Sequence, residues 1–216
     1  MRKQNPLLVS HIQKGLMHAE LDEFFSIELK EEGYGGMDIK LHEMPVQITI
    51  RVNKPEDVMG DKKSRLNLIK HLLMQRFPLL SSGVEINVEM IKNKGLCPMT
   101  QADFIRVKLF SGIPFRRAVH AAMKSIKDGG AQGCVIIISG KLKGQRAKSV
   151  KYQQGLMIHT GNDRKLFVKE AISTVLLKQG VIGIKVKIML PYDPTGINGP
   201  SREICDKITI FEPKQN

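Results

Sequence analysis

The residues of this sequence best suited to bind a ligand are cations in two groups. The denser group has five positive charges within eleven residues and no carboxylate among them: Lys141, Lys143, Arg146, Lys148 and Lys151. The other group is the pair Arg116 and Arg117, which follows Pro114 at the start of a predicted helix. Cations of this kind neutralise phosphates. On a duplex, each such contact contributes about −0.9 to the slope of log affinity against log salt concentration. The alternative for either group alone is a solvated surface.

The net charge of the chain is concentrated in one part of it. Lysine and arginine total 34 of 216 residues against 21 aspartates and glutamates, a formal net charge of +13. Residues 96–199 hold 17 basic and 5 acidic side chains, net +12, whereas residues 1–95 hold 14 and 13, net +1. Such a surface attracts polyanions, either nucleic acid or an acidic membrane. The asymmetry also predicts two domains.

The chain lacks the residues that several classes of function require. Aromatic residues are 5% of the chain, which argues against an aromatic platform for stacking RNA bases. Three scattered cysteines predict neither a disulfide framework nor structural zinc. No catalytic constellation or nucleotide-binding motif is present, and no apolar run approaches the roughly 20 residues of a membrane span. We therefore expect no cofactor, no membrane partner and no enzymatic activity.

The apolar pattern of the first part predicts an α-β-β-α-α-β module. The expected elements are a helix over 17–31, strands over 37–41 and 46–52, a short helix over 55–59, a helix from 64 to about 77 and a strand over 84–90. In a KH-type module, a GxxG loop between two helices clamps the nucleic-acid backbone. The corresponding loop here reads Gly60-Asp61-Lys62-Lys63, with Lys63 in place of the second glycine. The alternative is an ordinary turn.

The second part predicts two helices followed by strands. One helix covers about 100–111, and a second follows Gly112 and ends at Gly129. The later elements are a buried strand over 133–140, a basic loop or strand end over 141–149, a strand over 150–160, and an alternating strand over 184–190. Residues 164–178 remain open between a helix and a strand, because their composition permits both.

Long motifs of the chain resemble the eukaryotic and archaeal family of small ribosomal subunit protein three, a KH-domain family of the subunit head. The stretches that carry the resemblance are SGKLKGQRAKS, GLMIHTG, GVIGIKVKIMLPYDPTG, GLCPMTQADFIRVKLFSGIPFRRAV, GGAQGCVIIISG, AELDEFFSIEL and ITIFEPK. They extend over nearly the whole chain. The sequence is therefore identified as similar to this family.

The resemblance implies an α+β fold with a type II KH domain and a second domain of two helices and a four-stranded antiparallel sheet. It also implies that residues 164–178 form a strand. The expected divisions are an N-terminal extension over 1–16, the KH domain over 17–95, the basic two-layer domain over 96–190 and a C-terminal tail over 191–216.

The resemblance further implies a structural constituent of the small subunit that binds rRNA and lines the mRNA entrance channel. The residues that match the family at that entrance are Arg116, Arg117, Lys141, Lys143, Arg146 and Lys148. Contacts to rRNA are expected from Lys62, Lys63, Arg65 and Lys151. The implied partners are rRNA, mRNA and neighbouring head proteins. The implied location is the cytoplasmic ribosome, with nucleolar passage during assembly if the source is eukaryotic.

Two other functions are alternatives. One is a free KH-type regulator of particular RNAs, which the altered GxxG loop disfavours. The other is a DNA-repair lyase or nuclease, an activity credited to some animal relatives through a lysine in a GAKGC segment. Here Gln132 occupies the lysine position, and an amide cannot form a Schiff base.

Overall fold

The computed structural model describes residues 6–41, 45–77, 83–204, 208 and 210, with the backbone alone for 6–10. The chain forms two compact units, Met1–Lys92 and Asn93–Asn216. The first five residues of the predicted N-terminal extension lie outside the described residues. So does most of the predicted tail beyond Ile204.

The first unit has the predicted α-β-β-α-α-β order. Its elements are α1 (Pro6–Glu28), β1 (Tyr34–Lys40), β2 (Val46–Val52), α2 (Pro55–Met59), a 3-10 turn (Asp61–Lys63), α3 (Ser64–Arg76) and β3 (Val84–Met90). Helix α1 begins at Pro6 rather than at residue 17, since proline suits the first turn of a helix. Ile12 and Leu16 on this added part are exposed, so they add nothing to the buried stripe that predicted the helix.

The sheet of the first unit has the order β1-β2-β3, with β1 antiparallel and β3 parallel to β2. The parallel pairing requires a crossover, which α2 and α3 supply. The core is built from α1 and the central strand: Leu21, Phe25, Leu29, Ile48 and Ile50 are all fully buried. Leu21 and Phe25 of α1, and Leu29 just after its end, therefore meet the alternating residues of β2.

The second unit is a two-layer structure. Its elements are α4 (Pro98–Phe110), α5 (Phe115–Asp128), β4 (Gly133–Gly140), β5 (Lys148–Gly155), α6 (Asp163–Phe167), β6 (Val168–Leu177) and β7 (Gly180–Met189). The sheet has the order β5-β4-β7-β6, and every neighbouring pair is antiparallel. Helix α4 packs on β6 and β7, and α5 packs on β4. The predicted α+β fold, with two helices on a four-stranded antiparallel sheet, is confirmed.

In the second unit, the bounds of β6 and β5 differ from the sequence-based prediction. Residues 163–167 form the short helix α6, and the strand starts only at Val168. The prediction of strand from residue 164 was therefore wrong for this segment, whose DRKLF sequence suits a helix and ends in the fully buried Phe167. Strand β5 ends at Gly155 rather than near residue 160.

Strands β4 and β5 come very close at one end. Gly133 pairs with Gly155 there, and a Cβ on Gly133 would lie 1.9 Å from the carbonyl oxygen of Leu156. Real Cβ atoms do not approach backbone oxygen at such a distance. Position 133 therefore requires glycine, because there is no room for a Cβ atom at this crossing.

Candidate nucleic-acid interface

The arginine pair lies in the first turn of α5. Proline at position 114 precedes the helix, and its φ of −55° directs the chain into it. Arg116 and Arg117 are exposed, and the first turn contains no acidic residue. A helix N-terminus carries partial positive charge and unpaired N–H groups, so it disfavours cations and attracts anions. Two arginines placed there together form a strongly electropositive point.

The basic segment forms the connection between β4 and β5. Lys141, Lys143 and Arg146 are exposed in the loop, and Lys148 opens β5 opposite Gly140. Leu142 alternates with the two lysines and packs against the core of the unit, which fastens the loop to the domain. Within the described part of the chain, none of these four cations makes an ion pair or a side-chain hydrogen bond. Their charges are available to a ligand.

The topology brings these two basic groups to the same end of the second unit. Helix α5 ends at Asp128 and β4 starts at Gly133, so the helix and the strand run in opposite directions across a short connection. The start of α5 therefore lies near the end of β4, where the basic loop begins. Phe115 and Leu142, one from each group, both pack against the core of this unit. Six predicted site residues are thus brought to one end of the domain.

Lys151 points elsewhere. It pairs with Ile137 in the β4–β5 register, whereas its neighbours Val150 and Tyr152 pair with the helix-facing Ile138 and Ile136. Because side chains alternate along a strand, Lys151 lies on the sheet face that α4 and α5 do not cover. The structure therefore separates it from the arginine pair.

The altered KH loop connects α2 to α3 in the first unit. Gly60 has a φ of +64°, and Lys62 and Lys63 have φ values of +52° and +61°. A non-glycine residue in this left-handed region costs about 1–2 kcal/mol. The loop therefore retains left-handed backbone where the second glycine of a GxxG sequence would stand. Asp61, Lys62 and Lys63 are all exposed.

Arg65 is anchored inside the first unit. Its guanidinium donates to the carboxylate of Glu32, and more distantly, at 3.4 Å, to that of Glu28. It also donates to the backbone carbonyl of Asp57 at 3.3 Å. The hydrogen bond with Glu32 is the main cause that raises the pKa of Arg65. The arginine thus ties the start of α3 to the end of α1, and its predicted contact with rRNA stays a prediction.

Three further cations that the sequence analysis missed surround Glu170 on the uncovered face of the second sheet. The Nζ atoms of Lys187 and Lys185 lie 3.3 and 3.6 Å from its carboxylate, and a guanidinium nitrogen of Arg164 lies at 3.5 Å. The pKa of Glu170 is lowered, first by its hydrogen bond with Lys187 and then by the nearby charges. The alternation of lysine with apolar residues in GIKVKIM could have placed two of these cations on one face.

Other kinds of site are not seen in the part of the chain that the structure describes. No three His, Cys, Asp or Glu side chains come together there as metal ligands would. Among the described helices, none has the length and apolarity needed to cross a membrane.

Comparison with known proteins decides the family. Residues 20–96 match the KH domain family, and residues 105–188 match the family described as Ribosomal protein S3, C-terminal domain. The chain is 49% identical over 209 residues to Small ribosomal subunit protein uS3 of Encephalitozoon cuniculi (strain GB-M1), with 97% of each chain covered. The chain belongs to the uS3 family. Like other uS3 proteins it is a structural constituent of the small ribosomal subunit and not an enzyme. Its partners are rRNA and other ribosomal proteins, on the ribosome of the cytoplasm.

Proposed function

We propose that this uS3 chain holds incoming mRNA at the entrance of the small subunit by contacts with its phosphates. The cations that make these contacts are Arg116, Arg117, Lys141, Lys143, Arg146 and Lys148. The observation that carries the proposal is their convergence on one end of the second unit, with no ion pair to any described residue.

The arrangement suits binding that does not depend on base sequence. Arginine can grip a phosphate with two parallel N–H donors, and the start of α5 adds backbone N–H groups and a favourable dipole. Phosphate contacts fix the position of a strand but carry no sequence information directly. Each contact to a single strand contributes a salt slope of about −0.7, so a strand held this way can be released and moved forward. A duplex would have to open before it passes these cations.

The test is mRNA retention by purified small subunits that carry Arg116→Glu and Arg117→Glu. We expect assembled subunits whose mRNA dissociates at least tenfold faster at moderate salt. The matched control is Lys124→Glu with Lys127→Glu, which makes the same charge change at exposed positions near the other end of α5. Retention equal to that of unaltered subunits in the arginine variant would refute the proposal. An equal loss in both variants would indicate a general effect of charge and would also refute it.

We further propose that Lys62, Lys63, Arg65 and Lys151 contact rRNA phosphates, and that the chain passes through the nucleolus during assembly if its source is eukaryotic. The support is the exposure of the three lysines and their lack of ion pairs to described residues. Charge reversal of Lys62 and Lys63 should reduce incorporation of the chain into subunits in a competition with the unaltered chain. Incorporation at the unaltered level would refute the contact.

A further inference from the structure

The two edges of the four-stranded sheet differ in their protection against strand pairing. The edge strand β5 begins with Lys148 and carries Lys151, and charged side chains of this kind keep other strands away. The opposite edge strand, β6, has no charged residue from Ala171 to Leu177. This seven-residue run, AISTVLL, is rich in β-branched residues and has neither proline nor glycine. An exposed run with these properties readily accepts another strand.

The uncovered face beside this edge carries exposed apolar side chains. Ile172, Leu176 and Val181 are 61%, 75% and 59% exposed. Leu176 pairs with Val181 in the β6–β7 register, and Ile172 lies four residues before Leu176 on the same face. Leu176 and Val181 therefore form an exposed apolar pair, and Ile172 lies about 13 Å along the strand with Thr174 between. Exposed apolar groups of this kind mark sites of contact with other proteins.

The helical side of the same edge is apolar as well. The carboxylate of Asp103 on α4 accepts a hydrogen bond of 3.3 Å from the hydroxyl of Ser173, so this side of α4 lies over β6. Val107 and Phe110 follow Asp103 by four and seven residues and share its side of the helix. They are 56% and 76% exposed. Strand β6 thus has exposed apolar groups on both sides of its free edge, an edge that no other strand of the described residues covers.

Cations flank this edge. Lys169 precedes the uncharged run and Lys178 follows it. The one carboxylate on β6, Glu170, already pairs with Lys185 and Lys187. A ligand for this edge is therefore expected to bring apolar side chains for the centre and acidic ones for the ends.

We propose that the free edge of β6 binds an extended segment of a neighbouring protein in the small subunit, which adds a fifth strand to the sheet. A polypeptide fits where RNA does not, because only a strand offers a ladder of N–H and C=O groups together with alternating apolar side chains. The segment has apolar residues that pack on Ile172 and Leu176, and acidic residues near Lys169 and Lys178. The inference uses membership of the ribosomal family and is independent of the proposed mRNA contact.

A photo-cross-linker tests which molecule lies on this edge. p-Benzoylphenylalanine is placed at Leu176 in assembled small subunits, and at Gln153, which is exposed on the uncovered side of β5, as the control. We expect the Leu176 probe to join one other polypeptide at a single apolar and acidic segment, and the Gln153 probe not to do so. A product with rRNA, with this chain itself or with a second copy of it would overturn the proposal. So would the absence of a product.

Hydrogen exchange tests whether the segment pairs as a strand. We expect the amides of β6 to exchange at least tenfold more slowly in assembled subunits than in the free chain. Thr174→Lys, which puts a charge at the middle of the edge, should remove this protection. Ser149→Lys is the matched control, because Ser149 and Thr174 lie in one cross-strand row at opposite edges of the sheet. Unchanged exchange of β6 on assembly would overturn the proposal, as would equal loss of protection in both variants.

Discussion

Replacing Arg65 with methionine tests whether this arginine holds the first unit together. Its guanidinium is 31% exposed, whereas the Glu32 side chain that it contacts is only 10% exposed. The other carboxylate oxygen of Glu32 has no hydrogen-bond partner among the described residues. Arg65→Met keeps much of the apolar stem of the side chain and leaves this buried carboxylate without a cation.

The expected loss follows from these contacts. A hydrogen bond to a charged group contributes about 1.5–3 kcal/mol, and breaking a fully buried ion pair costs about 3–5 kcal/mol. Since Arg65 is partly exposed, water can reach Glu32 once the guanidinium is gone, which reduces the loss. The contact with Glu28 is long and exposed and adds only a few tenths of a kcal/mol. We expect Arg65→Met to lower the free energy of unfolding by about 2 kcal/mol.

The assay is urea unfolding of the free chain. It is followed by circular dichroism and by tyrosine fluorescence, since the chain has no tryptophan. Tyr34 reports on residues 1–92, and Tyr152 and Tyr192 report on the second unit. Adding Glu32→Gln and the double variant gives a coupling energy, which we expect to be about 1.5–2 kcal/mol. The control is Arg76→Met on the same helix, where an exposed pair with Glu20 should contribute less than about 1 kcal/mol.

A loss below about 0.5 kcal/mol for Arg65→Met, or a coupling energy near zero, would refute the structural role. The proposed contact with rRNA would then be the one remaining role of Arg65. A large loss with strong coupling would mean that reduced rRNA binding by an Arg65 variant reports unfolding and not a missing contact.

Three shorter predictions concern single side chains. Lys63→Gly should raise the free energy of unfolding by up to about 1 kcal/mol in urea titrations, because it relieves left-handed strain, and an unchanged value would contradict this. Gly133→Ala should cost more than about 2 kcal/mol by the same assay, through its clash with the carbonyl of Leu156; a neutral result would show that the strands can separate. Burial, and then the hydrogen bond to Asp22, raise the pKa of Tyr34 above its ordinary 10.0. Its contribution to stability is therefore complete below about pH 10 and falls at higher pH by up to about 1.4 kcal/mol per unit. Tyr34→Phe should lack this part of the alkaline loss.

The fold could be predicted where burial alone determines the pattern. The alternation of Ile184, Val186 and Ile188 identified β7, because one face of the strand packs on the helices. The added turns of α1 carry the exposed Ile12 and Leu16, so no buried stripe indicated them. The segment before Val168 has helix-forming residues, and its local preference prevailed over the strand that the resemblance implied.

The sequence predicted which basic residues make up the candidate site, but not all of their contacts. The clustering of Lys141, Lys143 and Arg146 is local in sequence, so it was visible without a structure. The partner of Arg65 is Glu32, 33 residues away, and no local pattern indicates such a pair. The left-handed φ of Lys63 was also hidden, because lysine rarely adopts that conformation and glycine would have been the expected signal.

The loop at Gly60–Lys63 has a consequence for the entropy of RNA binding. Glycine at the fourth position would leave the free loop many conformations, whereas lysine there restricts them, and the anchored Arg65 fixes the helix that follows. A phosphate that reaches Lys62 and Lys63 then meets ammonium groups on a backbone with fewer conformations than a glycine loop has, so less backbone entropy is lost on association. Stability and affinity should therefore change in opposite directions at this position. The variant with glycine at 63 should be the more stable protein and the weaker ligand for rRNA.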